Sequence, residues 1–330
     1  MSKSAINTND AAAIQAAQNS VAVCDRSFSG LIRVSDNDRI RLLHNQSTND
    51  FERLKPGQGC DTVMVTSTAR TIDLVTAYVL DDAVLLLISR NRREFLMQWP
   101  DKYIFFADKV KLNDVTNETA ILSLIGSQSD AIIEKLGAQA IIGQPDGNHQ
   151  LIPSIGSGVR VAVGSGLALP GYTLILPASE KGMVWEKIVQ AGAVEMSDRA
   201  FEMLRILQGR PAPEHELTDD YNPLEAGLWQ TISFDKGCYI GQETIARLNT
   251  YKGVKQHLWG IRLSAPAEIG SAIAIGDEKV GKLTSYTETP DGYFGLGYIR
   301  TKAGGVGLKV QVGETDGEIV EIPFVSHEYP

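Results

Sequence analysis

The chain has 330 residues, 43% of them apolar and 22% charged, and 31 Lys and Arg against 40 Asp and Glu give a formal charge of −9. That length favours two or three cores over one, and that balance excludes wholesale disorder. The acidic excess argues against a general nucleic-acid-binding or anionic-membrane surface. Cys24, Cys60 and Cys238 stand alone with no CxxC spacing, which suits a reducing compartment better than a disulfide framework or a cysteine zinc site.

The opening twenty residues lack a basic start followed by an apolar stretch, and the longest purely apolar run is Ala83 to Ile88. No membrane span is expected, and the chain reads as cytoplasmic. An Ala-rich helix is expected over Asp10–Ala17, then a strand over Leu31–Val34. Asp36 or Asn37 is placed to cap a helix through Arg39–Leu43 that ends near Asn45. Pro56-Gly57 signals a turn before the β-branched runs Thr62–Thr66 and Ile72–Val79. Asp81-Asp82 then returns the chain as a hairpin through Ala83–Ile88.

Further along, Lys109–Leu112 and Thr119–Ile125 read as strands. Ser127 to Asp130 has the spacing of a capping box, followed by Ile132, Ile133 and Leu136 on one face and Gly137 as a stop. Gly156-Ser-Gly158 and Gly164-Ser-Gly166 bracket a strand at Val159–Val163; neither continues into a phosphate-binding or nucleophile-elbow motif. Helices follow at Lys181–Ala191 and Ser197–Gln208, the second with Phe201, Leu204 and Leu207 on one stripe and Gly209 and Pro211 at its end. The last 77 residues hold 12 of the 31 glycines in an alternating pattern, which predicts a compact all-β sandwich or barrel. The chain is thus divided into an N-terminal α+β part (1–100), an α+β domain (101–209), an irregular segment (210–253) and a C-terminal β domain (254–330).

The irregular segment carries the densest chemistry. In Asp235-Lys-Gly-Cys-Tyr-Ile-Gly-Gln-Glu243, helical periodicity resumes near Gly241. Cys238 is therefore expected just before a helix N-terminus, where free N–H groups and the charge of Lys236 favour a thiolate. Gly237 and Gly241 permit positive φ and close approach. Against this stands the ordinary role of a free cysteine, a small buried hydrophobe.

The string KGCYIGQE resembles the signature of the folate-binding YgfZ family, relatives of the glycine-cleavage T-protein, an aminomethyltransferase. Leu43-His-Asn-Gln-Ser-Thr-Asn-Asp50, Pro56-Gly-Gln-Gly59, Leu204 to Pro211 and Asn222 to Leu228 extend the resemblance across roughly residues 20 to 300. It implies a three-domain ring of the GcvT type: two α+β domains, the second ferredoxin-like, and a small C-terminal β-barrel around a channel for tetrahydrofolate or a derivative. It also implies an accessory role in assembling or maintaining iron–sulfur clusters, with iron–sulfur assembly proteins and client enzymes as partners and no resident metal. In that branch the motif cysteine acts, so Cys238 inherits the role, and Lys236, Gly237, Tyr239, Gly241, Gln242 and Glu243 come with it. Arg247 lies four residues past Glu243, where an ion pair would steady the helix.

Folate contacts are sought at Asn49, Asp50, Asp73, Gln208 and Glu225. Four of these have a plainer alternative: helix end and turn for Asn49 and Asp50, strand edge for Asp73, loop bonding for Glu225. Lys252, Lys255 and Arg247 form either a solvated face or a landing place for a polyglutamate tail. Two departures separate the chain from T-proteins. Leu207 stands where they carry a pterin-binding glutamate, leaving Gln208 or Glu202 to replace it, and Phe234 to Gly237 replaces an arginine-rich stretch. T-proteins also lack the motif cysteine. The alternative to the accessory role is a tetrahydrofolate-dependent aminomethyl or methyl transferase of the T-protein type, acting without a thiol.

Overall fold

The computed structural model describes residues 8–104, 106–289 and 291–329; residues 1–7, part of the stretch read for a targeting signal, lie outside them. The first sheet is antiparallel, in the order Gly59–Val65, Thr71–Val79, Ala83–Ile88, Gly30–Ser35, Lys111–Asp114. The second runs Val194–Met196, Ala22–Asp25, Thr119–Ile125, Gly171–Pro177, Arg160–Val163, His149–Leu151. The last six strands, from Gln256–Leu263 to Thr315–Val320, close into a barrel. Two α+β layers plus a six-stranded C-terminal barrel are the arrangement expected from the sequence.

Seven α-helices cover these sheets among the described residues: α1 (Thr8–Asn19), α2 (Arg39–Gln46), α3 (Arg93–Gln98), α4 (Ser129–Lys135), α5 (Lys181–Gln190), α6 (Asp198–Gln208) and α7 (Gln242–Thr250). None is long and apolar enough to cross a membrane. The unbroken apolar run Ala83–Ile88 is explained by burial of both its faces. Val84, Leu86 and Ile88 join the core beneath α2 and α3, whereas Leu85 and Leu87 meet Ile121, Ala162 and Ile175 of the second sheet. The two sheets therefore face each other, with α4 and α5 covering the outer face of the second through Ile132, Ile133, Val184 and Ile188.

Several local expectations are corrected. Strands cross the boundary placed at residue 100: Ala22–Asp25 pairs in the second sheet and Lys111–Asp114 in the first. Four-residue strands are too short to show the alternation that would have revealed their partners. The N-cap of α2 is Asp38, not Asp36 or Asn37, and it makes no side-chain cap bond; its carboxylate accepts from Lys109 N instead. The capping box at Ser127 does not form. Helix α4 starts at Ser129, whose hydroxyl donates to Gly126 O, and Asp130 accepts from the Tyr172 hydroxyl.

Helix α6 matches its expectation closely and links all three parts. Ser197 caps it by accepting from Ala200 N, and Gly209 ends it in the left-handed region at φ 77°. Phe201 and Leu204 pack with α1 and the second sheet, while Ile206 belongs to the cluster shared with the barrel. Leu207 lies only half-buried beside them. A Cβ on Gly209 would come within 2.5 Å of the Ile322 side chain in the C-terminal segment. Gly209→Ala is therefore expected to cost about 1–3 kcal/mol, measured as a lower urea midpoint; an unchanged midpoint would show that this junction yields freely.

Candidate functional site

Lys236 is only 7% exposed, and its ammonium is spent on backbone rather than on a thiolate. It donates to the carbonyls of His44, Ser47 (2.9 Å) and Asn49 (2.7 Å), at and beyond the C-terminal end of α2. Such carbonyls lack helical partners and carry the negative end of the helix dipole, so a cation there satisfies both needs. Ile240 N adds a bond to Asn45 O at 2.9 Å, and Ser233 N one to Thr48 O at 3.0 Å. Burial pushes the Lys236 amine down to about 8, opposed by the nearby charge of Asp50.

The rest of the motif follows from this anchor. Tyr239 turns inward, its ring 4.7 Å from Lys236 Nζ, into a cluster with Trp229 and Ile245. Gly241 holds φ 79° as the N-cap of α7 and sits so close to the Thr66–Ala69 turn that a Cβ would lie 2.9 Å from Thr66 O. Gly237 needs no such freedom: it has no positive φ, and a Cβ there would meet only His44 Nε2, at 4.0 Å. Cys238 faces outward and is exposed, whereas Cys24 is buried and Cys60 half-buried, and burial pushes both of those thiols up to about 12. Helix α7 begins at Gln242 with Gly241 as its N-cap, so Cys238 precedes a helix N-terminus as expected. Glu243 and Arg247 are both exposed and form no ion pair.

A separate cavity of about 330 Å³ lies between the sheets and α6, lined among others by Arg26, Phe28, Leu74, Ser89, Asp198, Phe201, Glu202 and Arg210. A second, of about 220 Å³, shares Arg26 and Leu87 with it and reaches Cys60, Asp61, Thr76, Tyr78 and Phe324. Volumes of this order suit small-molecule sites. Cys238 lines neither. Nor does Leu207; the acidic side chains that α6 offers are Asp198 and Glu202, the latter held 2.7 Å from Arg205.

The sought folate contacts are not gathered around these cavities. Asn49 Nδ2 donates to Asp61 O, and its side-chain oxygen accepts from Asp50 N. Asp50 lies 3.2 Å from His44 Nδ1 and 3.1 Å from Arg53 Nε. Glu225 closes its own loop by accepting from Asn222 N and also meets Gln256. Gln208 is half-buried and offers its backbone carbonyl to Phe324 N. Asp73 is fully buried just behind the wall, accepting from the backbone N–H and hydroxyl of Ser89, which lines the larger cavity. Burial pushes the Asp73 carboxyl up to about 6. Among the described residues no group of three or more His, Cys, Asp or Glu is placed to hold a metal. Arg26 and Arg210 were missed: isolated arginines, one between Asp25 and Ser27 and the other between Gly209 and Pro211, carry no spacing that marks them.

The model of the GCVT N-terminal domain matches residues 3–236. A chloroplastic protein of Arabidopsis thaliana, whose name assigns it to the transferases without stating a substrate, is 48% identical over 325 residues, covering 98% of this chain and 75% of that protein. The aminomethyltransferase of Desulforamulus reducens is 28% identical over 337 residues, covering 95% of this chain and 89% of that protein. In three dimensions the chain resembles the glycine cleavage system aminomethyltransferase T of Bartonella henselae, with a TM-score of 0.83 and 18% identity over 97% of this chain and 90% of that one.

Two outcomes follow from the anchors. Lys236→Met keeps the aliphatic stem but strands carbonyls at the end of α2, so urea unfolding should show a loss of about 1–3 kcal/mol; no loss would mean that water replaces the ammonium freely. For Asp73, the folded state holds its proton to about pH 6, while the unfolded chain releases it near the ordinary 3.8. Stability is therefore lost as pH rises through that window. Asp73→Asn should remove this slope, gaining about 2–3 kcal/mol on the wild type between pH 4 and 7; parallel pH profiles would contradict it.

Proposed function

Because this chain belongs to the GCVT N-terminal domain family, we propose that it is a folate-binding protein of the YgfZ branch that helps assemble or maintain iron–sulfur clusters in client enzymes, with Cys238 as the acting thiol. The observation that carries this reading is the placement of Cys238: exposed, outside the cavities, on a segment anchored through Lys236. A thiol that acted on a bound small molecule would line its cavity. One that faces solvent on a firm support suits contact with another protein. A single cysteine cannot enclose a cluster, which usually takes four protein ligands, so partner proteins supply the others.

The cavities fit a reduced folate in size and in chemistry. Glu202 lines the larger cavity where Leu207 does not, and its carboxylate, now paired with Arg205, would exchange that partner for the pterin edge. Phe28 and Phe201 supply apolar walls. When bound, the folate would supply one-carbon chemistry; the chain's own part is to position it and exclude water. In this reading Asp73 acts through Ser89, and Asn49, Asp50 and Glu225 shape the loops that carry the motif rather than touch ligand. The proposal includes a cytoplasmic site of action, although the Arabidopsis relative is named as chloroplastic; three free cysteines suit any reducing compartment.

The more distant relatives named as aminomethyltransferases favour a second reading, a tetrahydrofolate-dependent aminomethyl or methyl transferase. The two part at Cys238. Cys238→Ser is expected to abolish rescue of iron–sulfur enzyme activity in a strain lacking the protein, while changing stability by no more than about 0.5 kcal/mol, as exposed substitutions usually do. Full rescue by the variant, together with turnover of tetrahydrofolate and a methyl donor, would establish the transferase instead.

A further inference from the structure

Arg26 and Arg210 both line the larger cavity, each with a buried donor that has no hydrogen-bond partner among the described residues. Arg26 is only 8% exposed, yet it makes no ion pair, and its Nε has no hydrogen-bond partner among the described residues. Its one side-chain bond is a 3.5 Å contact from Nη1 to the Ser123 hydroxyl. Arg210 Nη1 is likewise buried without a hydrogen bond, its nearest carboxylate oxygen being Asp61 Oδ2 at 3.9 Å. The other oxygen of Asp61 is occupied by the Thr76 hydroxyl at 2.5 Å. At the rim, Glu202 is committed to Arg205, and Asp198 lies in the first turn of α6.

The site is shaped to hold both guanidinium groups in place. Arg26 lies over the Phe201 ring at 4.9 Å and Arg210 over the Phe324 ring at 5.1 Å. Stacking takes up the faces of the two groups and leaves their in-plane N–H donors for hydrogen bonding. Gly166 completes the cradle: a Cβ there would come 2.6 Å from Arg26 Nη1. Burial and the charge of Arg210 push Arg26 down to about 10, so it remains cationic at neutral pH. One buried and one half-buried cation share the cavity, with Asp61 3.9 Å from Arg210 and no carboxylate hydrogen-bonded to either guanidinium among the described residues, an arrangement that an added anion would stabilise.

We propose that Arg26 and Arg210 together bind one oxyanion, a carboxylate or phosphate group, between the two sheets. Planar donors of this kind match carboxylate and phosphate oxygens, often two bonds at a time. The anion is either a carboxylate of the bound folate or a separate small acid held beside the pterin. The first case deepens the folate reading and rests on it; the second stands without it.

Calorimetric titration of the full-length protein and of R26Q and R210Q separates these cases, using inorganic phosphate, 5-formyltetrahydrofolate and a tetrahydropterin that lacks the glutamate tail. At least one anionic probe should bind the wild type and lose about 10- to 100-fold in affinity in either variant, with the double variant no worse than the weaker single one. Loss confined to 5-formyltetrahydrofolate, with the tail-less pterin unaffected, assigns the folate's own carboxylate. Phosphate binding that depends on both arginines, with no folate binding at all, keeps this subsite and removes the folate reading. Folate affinity within twofold of wild type in both variants, with no arginine-dependent phosphate binding, overturns the subsite and leaves the folate reading intact. Failure of every probe to bind the wild type overturns both.

Discussion

The ammonium of Lys236, buried among carbonyls of His44, Ser47 and Asn49, is the constraint from which the motif's geometry follows. An amine taken out of water costs several kcal/mol unless its hydrogens find acceptors. Here the end of α2 supplies acceptors that would themselves be unpaired, so each group solves the other's problem. Once this bond set forms, residues 44–49 and 233–240 are held together despite lying nearly two hundred positions apart. Tyr239 is then driven into the cluster around Trp229, and Gly241 is pressed against the turn after Val65.

The same constraint separates two functions that sequence spacing had merged. A lysine two positions before a cysteine suggests an activated thiolate. In the folded chain the lysine points inward and Cys238 outward, so the charge supports the segment and leaves the sulfur free for a partner. The cavity lies elsewhere, where the first sheet, the second sheet and α6 converge. In our proposal the folate occupies that space and Cys238 meets the client protein. The GCVT fold of the family then supplies a common frame for both, with the barrel tied in by α6 and the C-terminal segment around Ile322 and Phe324.

Much of this was legible in the residues. The hairpin through Ala83–Ile88, helix α6 with its Ser197 and Gly209 caps, and the C-terminal barrel all carry local signals that match their environments. The short strands Ala22–Asp25 and Val194–Met196 do not, because four or three residues cannot display a period and their partners are set by the sheet. Polar clusters were harder still. Asp50 and Glu225 look like candidate ligands in the sequence, yet in the fold they bond within their own loops. Arg26 and Arg210, which do line the cavity, become visible only when the end of the strand Ala22–Asp25 and the end of α6 are brought together. Local bonding and distant assembly leave the same residue types in a linear chain, and only packing tells them apart.

Timed alkylation of the native protein with mass-spectrometric readout shows whether the Lys236 anchor presents Cys238 to solvent while the other thiols stay shielded. Cys238 should be modified to completion before Cys24 or Cys60 reacts, and the order should collapse when the protein is unfolded. Protection of Cys238, or labelling of Cys60 at the same rate, would contradict it.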